Sequence, residues 1–246
     1  MFKTKLDQPC HSLDILNALY EYDDFMESIA TVADLGCGNG LDLEWWATRT
    51  TRDDAKIPLN IKCTGVDLTN QIKLSNKYKN MIFQQLDFEN EIPGKYDILW
   101  SHDSFQFAVH PLDTLKKWWD NATDGGMLVV SVPQTTNFRQ QAQVFTQTNG
   151  VYYHHTIVSL IHMLAVTGWD CKSGFFKQDI NDPWINAVVY KSNHKPMDPK
   201  TTTWYDLVEA NLLPDTANKS IMAHGYLRQQ DLLLPWLDKS LAYVGQ

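Results

Sequence analysis

Short apolar runs that end in a polar or acidic residue alternate along this chain with stretches of helical periodicity. Each run has the length of one β-strand. The five runs within the first 135 residues are Val32–Leu35, Ile61–Leu68, Met81–Phe88, Tyr96–His102 and Met127–Pro133. Helical patterns occupy Leu41–Arg49 and Pro111–Asn121, and the proline of the second suits a first helical turn. Strands that alternate with helices predict an α/β fold with a largely parallel sheet.

The following part of the chain adds a helix and two strands, and the N-terminal part adds another helix. The pattern over residues 155–167 predicts a helix, and Gly168 suits its C-terminus. The last two strands are predicted around Phe175–Phe176 and Ala187–Tyr190. A helix is also expected over Leu13–Ile29.

Beyond Lys191 the pattern changes to a linker followed by helices. Residues 192–200 contain two prolines and are typical of a linker. Thr203–Asp206 has the spacing of a capping box, with Asp in place of Glu, and predicts the start of a helix. A second helix is expected over Ala223–Leu234.

These patterns predict one domain with an appended segment. The domain covers residues 1–192, of which 1–30 form an N-terminal helical lid. The linker and a C-terminal helical extension cover residues 193–246 and are expected to pack on the same domain, with a homodimer contact as the alternative role. With 246 residues and 43% hydrophobic content, the chain can bury one sizeable core.

The net charge and the cysteine content indicate which binding partners and which cellular compartment to expect. A formal net charge of −8 does not provide the excess of positive charge that binds a phosphate backbone, so we do not expect a nucleic-acid partner. The four cysteines, Cys10, Cys37, Cys63 and Cys171, form no C-x-x-C pair, which indicates reduced thiols in a cytoplasmic protein. No apolar run approaches the ~20 residues of a membrane span. We therefore expect a soluble protein without membrane association.

The segment from Val32 to Gly40 combines a strand end, an acid and three glycines at alternate positions. Glycine tolerates positive φ and leaves space for a ligand close to the backbone. Ligands of open α/β sheets bind at the carboxyl ends of the strands. The spacing is not that of phosphate-binding loops, because Leu41 stands where a G-x-G-x-x-G motif needs its third glycine and no Lys-Ser or Lys-Thr follows. The segment predicts a cofactor site of another kind.

This acid-x-G-x-G-x-G pattern, from Asp34 to Gly40, resembles motif I of the class I S-adenosylmethionine-dependent methyltransferases. Gly94–Leu99 is similar to the family's entry to the fourth strand, and Gly125–Val130 to its entry to the fifth. The resemblance is close over residues 30–135 and looser to about residue 192. It implies a Rossmann-like, doubly wound sheet of seven strands in the order 3-2-1-4-5-7-6, with the last strand antiparallel and inserted beside the fifth.

The resemblance also implies that the cofactor is S-adenosylmethionine and which residues bind it. That cofactor is positively charged at its sulfur and amine, which suits a carboxylate beside the glycine loop. In the family, the acid after the second strand holds both ribose hydroxyls and the next apolar residue packs on adenine. The acid after the third strand accepts a hydrogen bond from the adenine amino group, and the following backbone amide faces a ring nitrogen. The implied cofactor contacts are Asp34, Gly36, Cys37, Gly38, Gly40, Asp67, Leu68, Asp87, Phe88, Ser101 and His102.

The candidates for the methyl-acceptor side follow the fourth strand. A general base is needed only when the nucleophile must lose a proton. His102 is the first candidate for this catalytic role and His110 the second. A third cluster, which we expect to line the acceptor pocket, is Tyr152, Tyr153, His154 and His155. Aromatic residues that enclose the acceptor, or pack in the core instead, are Phe105, Phe107, Trp118 and Trp119.

The sequence lacks the motifs of several other methyltransferase classes, which favours a small-molecule acceptor. Ser101–Ser104 stands where nucleic-acid amino methyltransferases carry a Pro-Pro turn, and no cysteine lies near the fourth strand as in the cytosine C5 enzymes. No metal-ligand set is assigned. The alternatives are a catalytically inactive S-adenosylmethionine-binding regulator or scaffold, and a protein or nucleic-acid methyltransferase. An aminopropyl transferase and an NAD(P)-dependent oxidoreductase are less favoured. The glycine spacing of this chain argues against the oxidoreductase.

Overall fold

The computed structural model describes residues 12, 15–17, 19, 28–51, 56–69, 77–90, 92–133, 153, 155–178 and 184–227. The strands are β1 (Thr31–Leu35), β2 (Lys62–Asp67), β3 (Met81–Gln85), β4 (Tyr96–His102), β5 (Ala122–Pro133), β6 (Trp169–Gln178) and β7 (Trp184–Lys191). The helices are α1 (Leu41–Ala47), α2 (Pro111–Asn121), α3 (Ile157–Val166), α4 (Trp204–Glu209) and α5 (Asp215–His224), and a 3₁₀ turn covers Phe105–Phe107. Within the described ranges, each helix is too short or too polar to cross a membrane.

The seven strands form one sheet in the order β3-β2-β1-β4-β5-β7-β6. The strands from β1 to β5 pair in parallel, and β7 is antiparallel to both β5 and β6. The predicted strand order and the Rossmann-like architecture are therefore confirmed. Because parallel strands run in one direction, β1 to β5 all end at the same side of the sheet, here called the carboxyl edge. β7 runs the other way and begins at that edge.

Two strand boundaries differ from the sequence prediction. β3 ends at Gln85, so Asp87 lies in the turn after the strand rather than at its last residue. β5 begins at Ala122, and the turn predicted over Asp124–Gly126 is part of the strand. Gly125 has a φ of +73°, and the register between β4 and β5 shifts near the start of both strands. The glycines therefore form an irregularity inside the ladder instead of ending it.

The predicted helices that frame the sheet are present with small differences at their ends. α2 spans the predicted residues, whereas α1 ends at Ala47, before the expected end at Arg49. α3 begins after Thr156, which exchanges hydrogen bonds with Ser159 in a capping box. Gly168, with a φ of +90°, follows the end of α3 as predicted.

The C-terminal segment contains one helix that was not predicted. The predicted capping box is confirmed, since the Thr203 hydroxyl accepts from the Asp206 N–H and the Asp206 carboxylate accepts from the Thr203 N–H. The helix predicted to begin at Ala223 is wrong at its start, because α5 ends at His224 and a left-handed Gly225 follows. The remainder of that predicted helix lies outside the described residues. Core side chains of this segment are Leu207, Leu212, Leu213, Ala217 and Ile221.

Different elements cover the two faces of the sheet. On the α2 face lie α2, α3 and the C-terminal helices, and the strand residues there include Leu35, Leu99, Val130 and Val189. On the α1 face lies α1, and the core residues there include Leu16, Val32, Trp46, Trp100 and Val129. Since side chains alternate along a strand, Asp34, His102, Ser131 and Asn186 belong to the α1 face. Most of the helix predicted over 13–29 lies outside the described residues.

Asp97 at the start of β4 connects three strands. Its Oδ2 accepts hydrogen bonds from the N–H of Ala30 at 2.9 Å and from the N–H and hydroxyl of Thr31, both at 3.0 Å. Its Oδ1 accepts from the Thr123 hydroxyl at 3.0 Å. Partial burial raises the pKa of Asp97, but the hydrogen bonds outweigh burial and keep the pKa below its usual range.

We expect Asp97→Asn to lower the free energy of unfolding at pH 7 by about 1 kcal/mol, a small value because the carboxylate is partly screened by solvent. A lowered folded pKa stabilises the fold above the unfolded pKa, and this contribution is lost as the pH falls through the folded pKa. Denaturant titrations of wild type and variant should therefore converge on acidification. The exposed Asp120→Asn serves as control, and a pH-independent difference for Asp97→Asn would contradict this account.

Candidate functional site

The glycine loop between β1 and α1 is held by backbone hydrogen bonds and by positive φ angles. Gly36, Gly38 and Gly40 have φ angles of +82°, +50° and +81°, a region that favours glycine. The N–H groups of Gly36 and Cys37 donate to the carbonyl of Val66 at 2.7 and 3.1 Å. The loop is thereby attached to the end of β2 and turns at the carboxyl edge.

Two of these glycines have different surroundings. A Cβ at Gly36 would lie 2.4 Å from the Cβ of Ser104, in the loop after β4. At Gly38, no atom of the described residues would lie within 4 Å of an added Cβ. Gly36 is therefore required for packing inside the protein, whereas Gly38 leaves the outer side of the loop open to a ligand.

Asp34 lies in β1 just before the glycine loop and is 3% exposed. Within the described ranges, no hydrogen-bond donor reaches its carboxylate. Burial raises the pKa of Asp34 well above its usual range, and the nearby carboxylates of Asp42 and Asp67 raise it further. A buried carboxylate is costly unless a donor or a cation meets it. This position therefore favours a positively charged ligand group.

Asp67, at the end of β2, connects the glycine loop to the next turn. Its Oδ2 accepts from the Gly38 N–H at 2.9 Å, and its Oδ1 accepts from the N–H and hydroxyl of Thr69 at 2.8 and 2.7 Å. A carboxylate offers about four acceptor positions. One position is therefore left for a ligand, and the exposed Thr69 hydroxyl can give way to a second ligand hydroxyl. Leu68, between them, is 61% exposed at the same edge.

Asp87 and His110 line one cleft of about 320 Å³. The Asp87 carboxylate accepts from the Glu89 N–H at 2.9 Å. The Glu89 carboxylate in turn accepts from the N–H groups of Val109 and His110 at 2.8 and 2.9 Å, at the start of α2. The structure thus brings His110 together with Asp87, whereas His102 belongs to the opposite face of the sheet. A catalytic role of His110 stays a prediction.

The predicted cofactor contacts Ser101, Cys37 and Phe88 have little exposed surface. The hydroxyl of the fully buried Ser101 lies 2.7 Å from that of Ser104, which donates to the Leu35 carbonyl at 2.5 Å. These hydroxyls support the glycine loop from the α2 face. Cys37 and Phe88 are also buried, and burial, with Asp34 nearby, raises the pKa of the Cys37 thiol. Their contacts with a cofactor stay predictions.

His102, the last residue of β4, lies between two tryptophan rings. Its imidazole stacks on Trp100 at a ring-centroid distance of 6.3 Å and on Trp184 at 5.9 Å. The Trp100 Nε1 donates to the carboxylate of Asp42, in the first turn of α1, at 3.0 Å. His102 therefore lies on the face of the sheet that also carries Asp34.

Trp184 and Asn186 of β7 extend this arrangement, although neither was a candidate from the sequence. Asn186 lies opposite Ser131 of β5, and the Ser131 hydroxyl donates to its Oδ1 at 2.6 Å. Ser131 itself lies opposite His102 of β4. The available signal was the antiparallel insertion of β7, which brings its first residues to the carboxyl edge. Which of those residues meet His102 depends on the register.

The loop after β4 holds Asp103 in a left-handed conformation, with a φ of +53°. Its N–H donates to the Ser131 carbonyl at 3.0 Å, and its carboxylate accepts from the Gln106 Nε2 at 2.5 Å. Gln106 is buried, whereas Asp103 is exposed. Non-glycine residues with positive φ are uncommon and cluster at functional sites.

The predicted cluster over residues 152–155 lies partly outside the described residues, which include Tyr153 and His155. His155 is buried and stacks on Phe105 at 5.5 Å, and the Tyr153 hydroxyl donates to the Val109 carbonyl at 3.2 Å. Phe105 belongs to the core on the α2 face. The described part of the cluster is therefore on the face opposite to His102. Tyr152 and His154 lie outside the described residues.

The paired tryptophans of α2 pack against the domain. Trp118 is fully buried and donates to the Phe88 carbonyl at 3.0 Å, and Trp119 donates to the Gly168 carbonyl at 2.9 Å. Phe107 also packs against this core. Core packing, rather than enclosure of an acceptor, is therefore the role that their contacts support. In the part of the chain that the structure describes, no group of three His, Cys, Asp or Glu residues is arranged to hold a metal.

The fold is that of the class I S-adenosylmethionine-dependent methyltransferases. A family profile described as a methyltransferase domain matches residues 27–204. The chain belongs to this family. The match extends past Lys191, where the sequence resemblance was expected to end, to the start of α4. No curated protein matches the chain in sequence.

Several solved structures with a similar fold are described as methyltransferases. A putative S-adenosylmethionine-dependent methyltransferase from Listeria monocytogenes is 17% identical, with a TM-score of 0.56 over 74% of this chain and 100% of its own. The CurJ carbon methyltransferase is 15% identical, with a TM-score of 0.55 over 73% of this chain; the match spans about half, 52%, of the CurJ chain. The plantazolicin methyltransferase BpumL, in complex with SAH, is 13% identical, with a TM-score of 0.52 over 75% of this chain and 91% of its own.

Proposed function

We propose that this protein transfers a methyl group from S-adenosylmethionine to a small-molecule acceptor by in-line displacement. The observation that carries the proposal is Asp34, a buried carboxylate at the glycine loop that receives no donor from the described residues. The positive charge of the sulfonium and the amine matches this carboxylate, whereas a phosphate would be repelled. The complex of BpumL with SAH supports the same class of ligand.

The residues at the carboxyl edge fit the parts of this cofactor. Asp34 would meet the amine, and the open side of Gly38 allows close approach to the backbone. The free acceptor position of Asp67, with the replaceable Thr69 hydroxyl, suits the ribose diol. The exposed Leu68 would pack on adenine, and Asp87 would accept from the adenine amino group. Further proposed contacts of the cofactor are Gly36, Gly40, Cys37, Phe88, Ser101 and His102.

When bound, the cofactor supplies a methyl group on a positively charged sulfur, which already activates it toward a nucleophile. The protein therefore contributes mainly by alignment, which is catalysis by proximity. His102 is the proposed proton acceptor for a nucleophile that must lose a proton, since it lies on the same face as Asp34. The two tryptophan rings beside it fix the plane of the imidazole.

Calorimetric titration tests the cofactor, and we expect binding of S-adenosylmethionine and S-adenosylhomocysteine but not of NAD. Leu68→Ala should weaken S-adenosylmethionine binding about 5- to 30-fold, equivalent to about 1–2 kcal/mol of lost apolar contact. Ile82→Ala is a matched control, because Ile82 on β3 is 54% exposed and lies outside the proposed site. It should leave the affinity unchanged.

Three outcomes separate the proposed function from its alternatives. Absence of S-adenosylmethionine binding to the wild type contradicts the proposed function. Binding without release of S-adenosylhomocysteine, when the protein is incubated with a broad set of metabolites, favours a catalytically inactive regulator or scaffold. Release that requires a protein or nucleic-acid acceptor favours the other alternative, a protein or nucleic-acid methyltransferase.

A further inference from the structure

We propose that the binding of S-adenosylmethionine releases a proton from the carboxyl group of Asp34, so that the affinity for the cofactor rises with pH. The inference rests on the proposed function and adds how pH regulates the same site. It depends on two observations. Three carboxyl groups, those of Asp34, Asp42 and Asp67, lie close together at the glycine loop, and the hydrogen-bond donors around them are shared unequally.

Asp42 and Asp67 each receive several hydrogen bonds. The Asp42 carboxylate accepts from the Ser12 hydroxyl at 2.8 Å and from the Trp100 Nε1 at 3.0 Å. The Asp67 carboxylate accepts from the Gly38 N–H at 2.9 Å and from two further donors in the turn after β2. Donors of this kind stabilise the charge of a carboxylate. Both groups therefore have the partners that an ionised carboxylate needs.

Asp34 has no such partners. It is 3% exposed, and in the described part of the chain no donor or cation reaches its carboxyl group. Burial raises the pKa of Asp34, and the neighbouring carboxylates of Asp42 and Asp67 raise it further. Among three carboxyl groups that repel one another, the one without donors takes up a proton first. In the ligand-free protein that group is Asp34.

The other titratable groups near Asp34 do not provide a compensating positive charge. Cys37 in the glycine loop and Cys63 on β2 are buried, and burial, with Asp34 nearby, raises the pKa of both thiols, so they stay neutral. His102 of β4 lies on the same face of the sheet, but it stacks between two tryptophan rings. Within the described ranges it makes no hydrogen bond or ion pair with Asp34. A positive charge beside Asp34 must therefore come from a ligand.

Asp34 exchanges its proton for the ammonium group of the cofactor. As that group approaches, the carboxyl group gives its proton to the solvent, and the carboxylate that remains forms an ion pair with the ammonium group. No bond of the cofactor is formed or broken in this step. Because one proton leaves for each cofactor that binds, the affinity should rise about tenfold per pH unit below the folded pKa of Asp34 and level off above it.

Calorimetric titration of the full chain with S-adenosylhomocysteine, in buffers of different ionisation enthalpy, counts the protons that binding releases. At about pH 6 the amine of the free ligand carries its proton, so a released proton comes from the protein. We expect about one proton per ligand at this pH, and an affinity that rises about tenfold from pH 5 to pH 6. Methylthioadenosine, which has the adenine and the ribose but no amine, is the matched ligand control and should bind without releasing a proton.

Variants assign the released proton to Asp34. Asp34→Asn has no proton to release, so the proton count should fall to about zero and the weakened affinity should no longer depend on pH in this range. Asp42→Asn removes one of the neighbouring charges, so the affinity should level off at a lower pH than in the wild type. Asp120→Asn is the matched control, because Asp120 is exposed on α2, and it should keep the proton count of the wild type.

The outcomes separate this inference from the proposed function. If S-adenosylhomocysteine binds without releasing a proton, or if Asp34→Asn releases as many protons as the wild type, the inference is overturned and the proposed function stands. The same holds if Asp42→Asn leaves the pH dependence unchanged, or if methylthioadenosine releases the same number of protons, since the proton would then come from another group. If neither S-adenosylmethionine nor S-adenosylhomocysteine binds the wild type, both fail.

Discussion

Asp34→Asn should weaken S-adenosylmethionine binding while it stabilises the ligand-free protein. Loss of a charge-assisted hydrogen bond costs about 1.5–3 kcal/mol, which corresponds to about 10- to 150-fold in affinity. In the ligand-free state the buried carboxylate is costly, and the neutral amide removes its charge. We expect a gain of about 1–3 kcal/mol, or about 3–10 °C in melting temperature for a chain of this size. Calorimetric titration and thermal melts measure the two effects.

The pH dependence of the ligand-free protein provides a second test of Asp34. A carboxyl whose folded pKa is raised binds more protons in the folded state, so it favours folding at low pH. The contribution of this carboxyl to stability diminishes as the pH rises from its pKa in the unfolded state toward its raised pKa in the folded state. The wild type should therefore lose stability over this range relative to Asp34→Asn. Asp120→Asn, an exposed control, should change neither affinity nor melting temperature. Asp34→Asn must lower the affinity for S-adenosylmethionine and raise the stability of the ligand-free protein. A variant that binds the cofactor less tightly and is also less stable would contradict the proposed role of Asp34.

Gly36→Ala and Gly38→Ala should separate folding from ligand binding within one loop. At Gly36 the added Cβ would overlap the Ser104 side chain and the φ of +82° would be strained. Strain and overpacking together cost about 2–5 kcal/mol, and the melting temperature should fall by about 5–15 °C. At Gly38 only the strain applies, about 1 kcal/mol, but the methyl group would occupy the open side where the cofactor approaches. Its main expected effect is at least about a tenfold loss of S-adenosylmethionine affinity.

Gly125→Ala is the matched control for Gly38→Ala. Gly125 also has a positive φ, +73°, and no atom of the described residues would lie within 4 Å of an added Cβ. It should show the same small loss of stability with unchanged affinity. For Gly36, a double-mutant cycle with Ser104→Gly tests the overlap directly. Removing the Ser104 side chain should make Gly36→Ala less costly, and an additive cycle would rule out the contact as the cause.

The candidate cofactor site was largely predictable because its residues are tied to strand ends. Asp34, Asp67 and Asp87 each end or follow an apolar run, and parallel strands bring such positions to one edge. The structure adds what the residue types do not reveal. Asp67 holds the glycine loop through the Gly38 N–H, and Ser104 supports Gly36 from the other side.

The acceptor side was less predictable, because it depends on contacts between distant segments. His102 was a candidate from its place after the fourth strand, but Trp184 and Asn186 lie more than 80 positions further along the chain. Their alignment with His102 requires both the β5–β7 register and its relation to β4. A shift of one residue in that register would turn these side chains to the other face of the sheet.

The secondary-structure differences also have physical causes. β5 begins at Ala122 because Ala122 pairs with Tyr96 of β4, and the register shift before the Ile98–Met127 pair accommodates Asp124–Gly126 as an irregularity in the ladder. α5 has little helical signal in its sequence and is stabilised by burial of Ala217 and Ile221 in the core. Packing of this kind is invisible to local periodicity.

The sequence by itself determined the α/β architecture, the order of the strands by resemblance, and the acids and glycines of the candidate cofactor site. These features depend on local periodicity and on residues next to strand ends. Only the tertiary structure decided that His110 lies with Asp87 on the α2 face, and that His102 lies with Trp184 and Asn186 on the α1 face. The physical reason is that the face of a sheet on which a side chain lies, and its neighbours there, depend on strand register and helix placement rather than on distance along the chain.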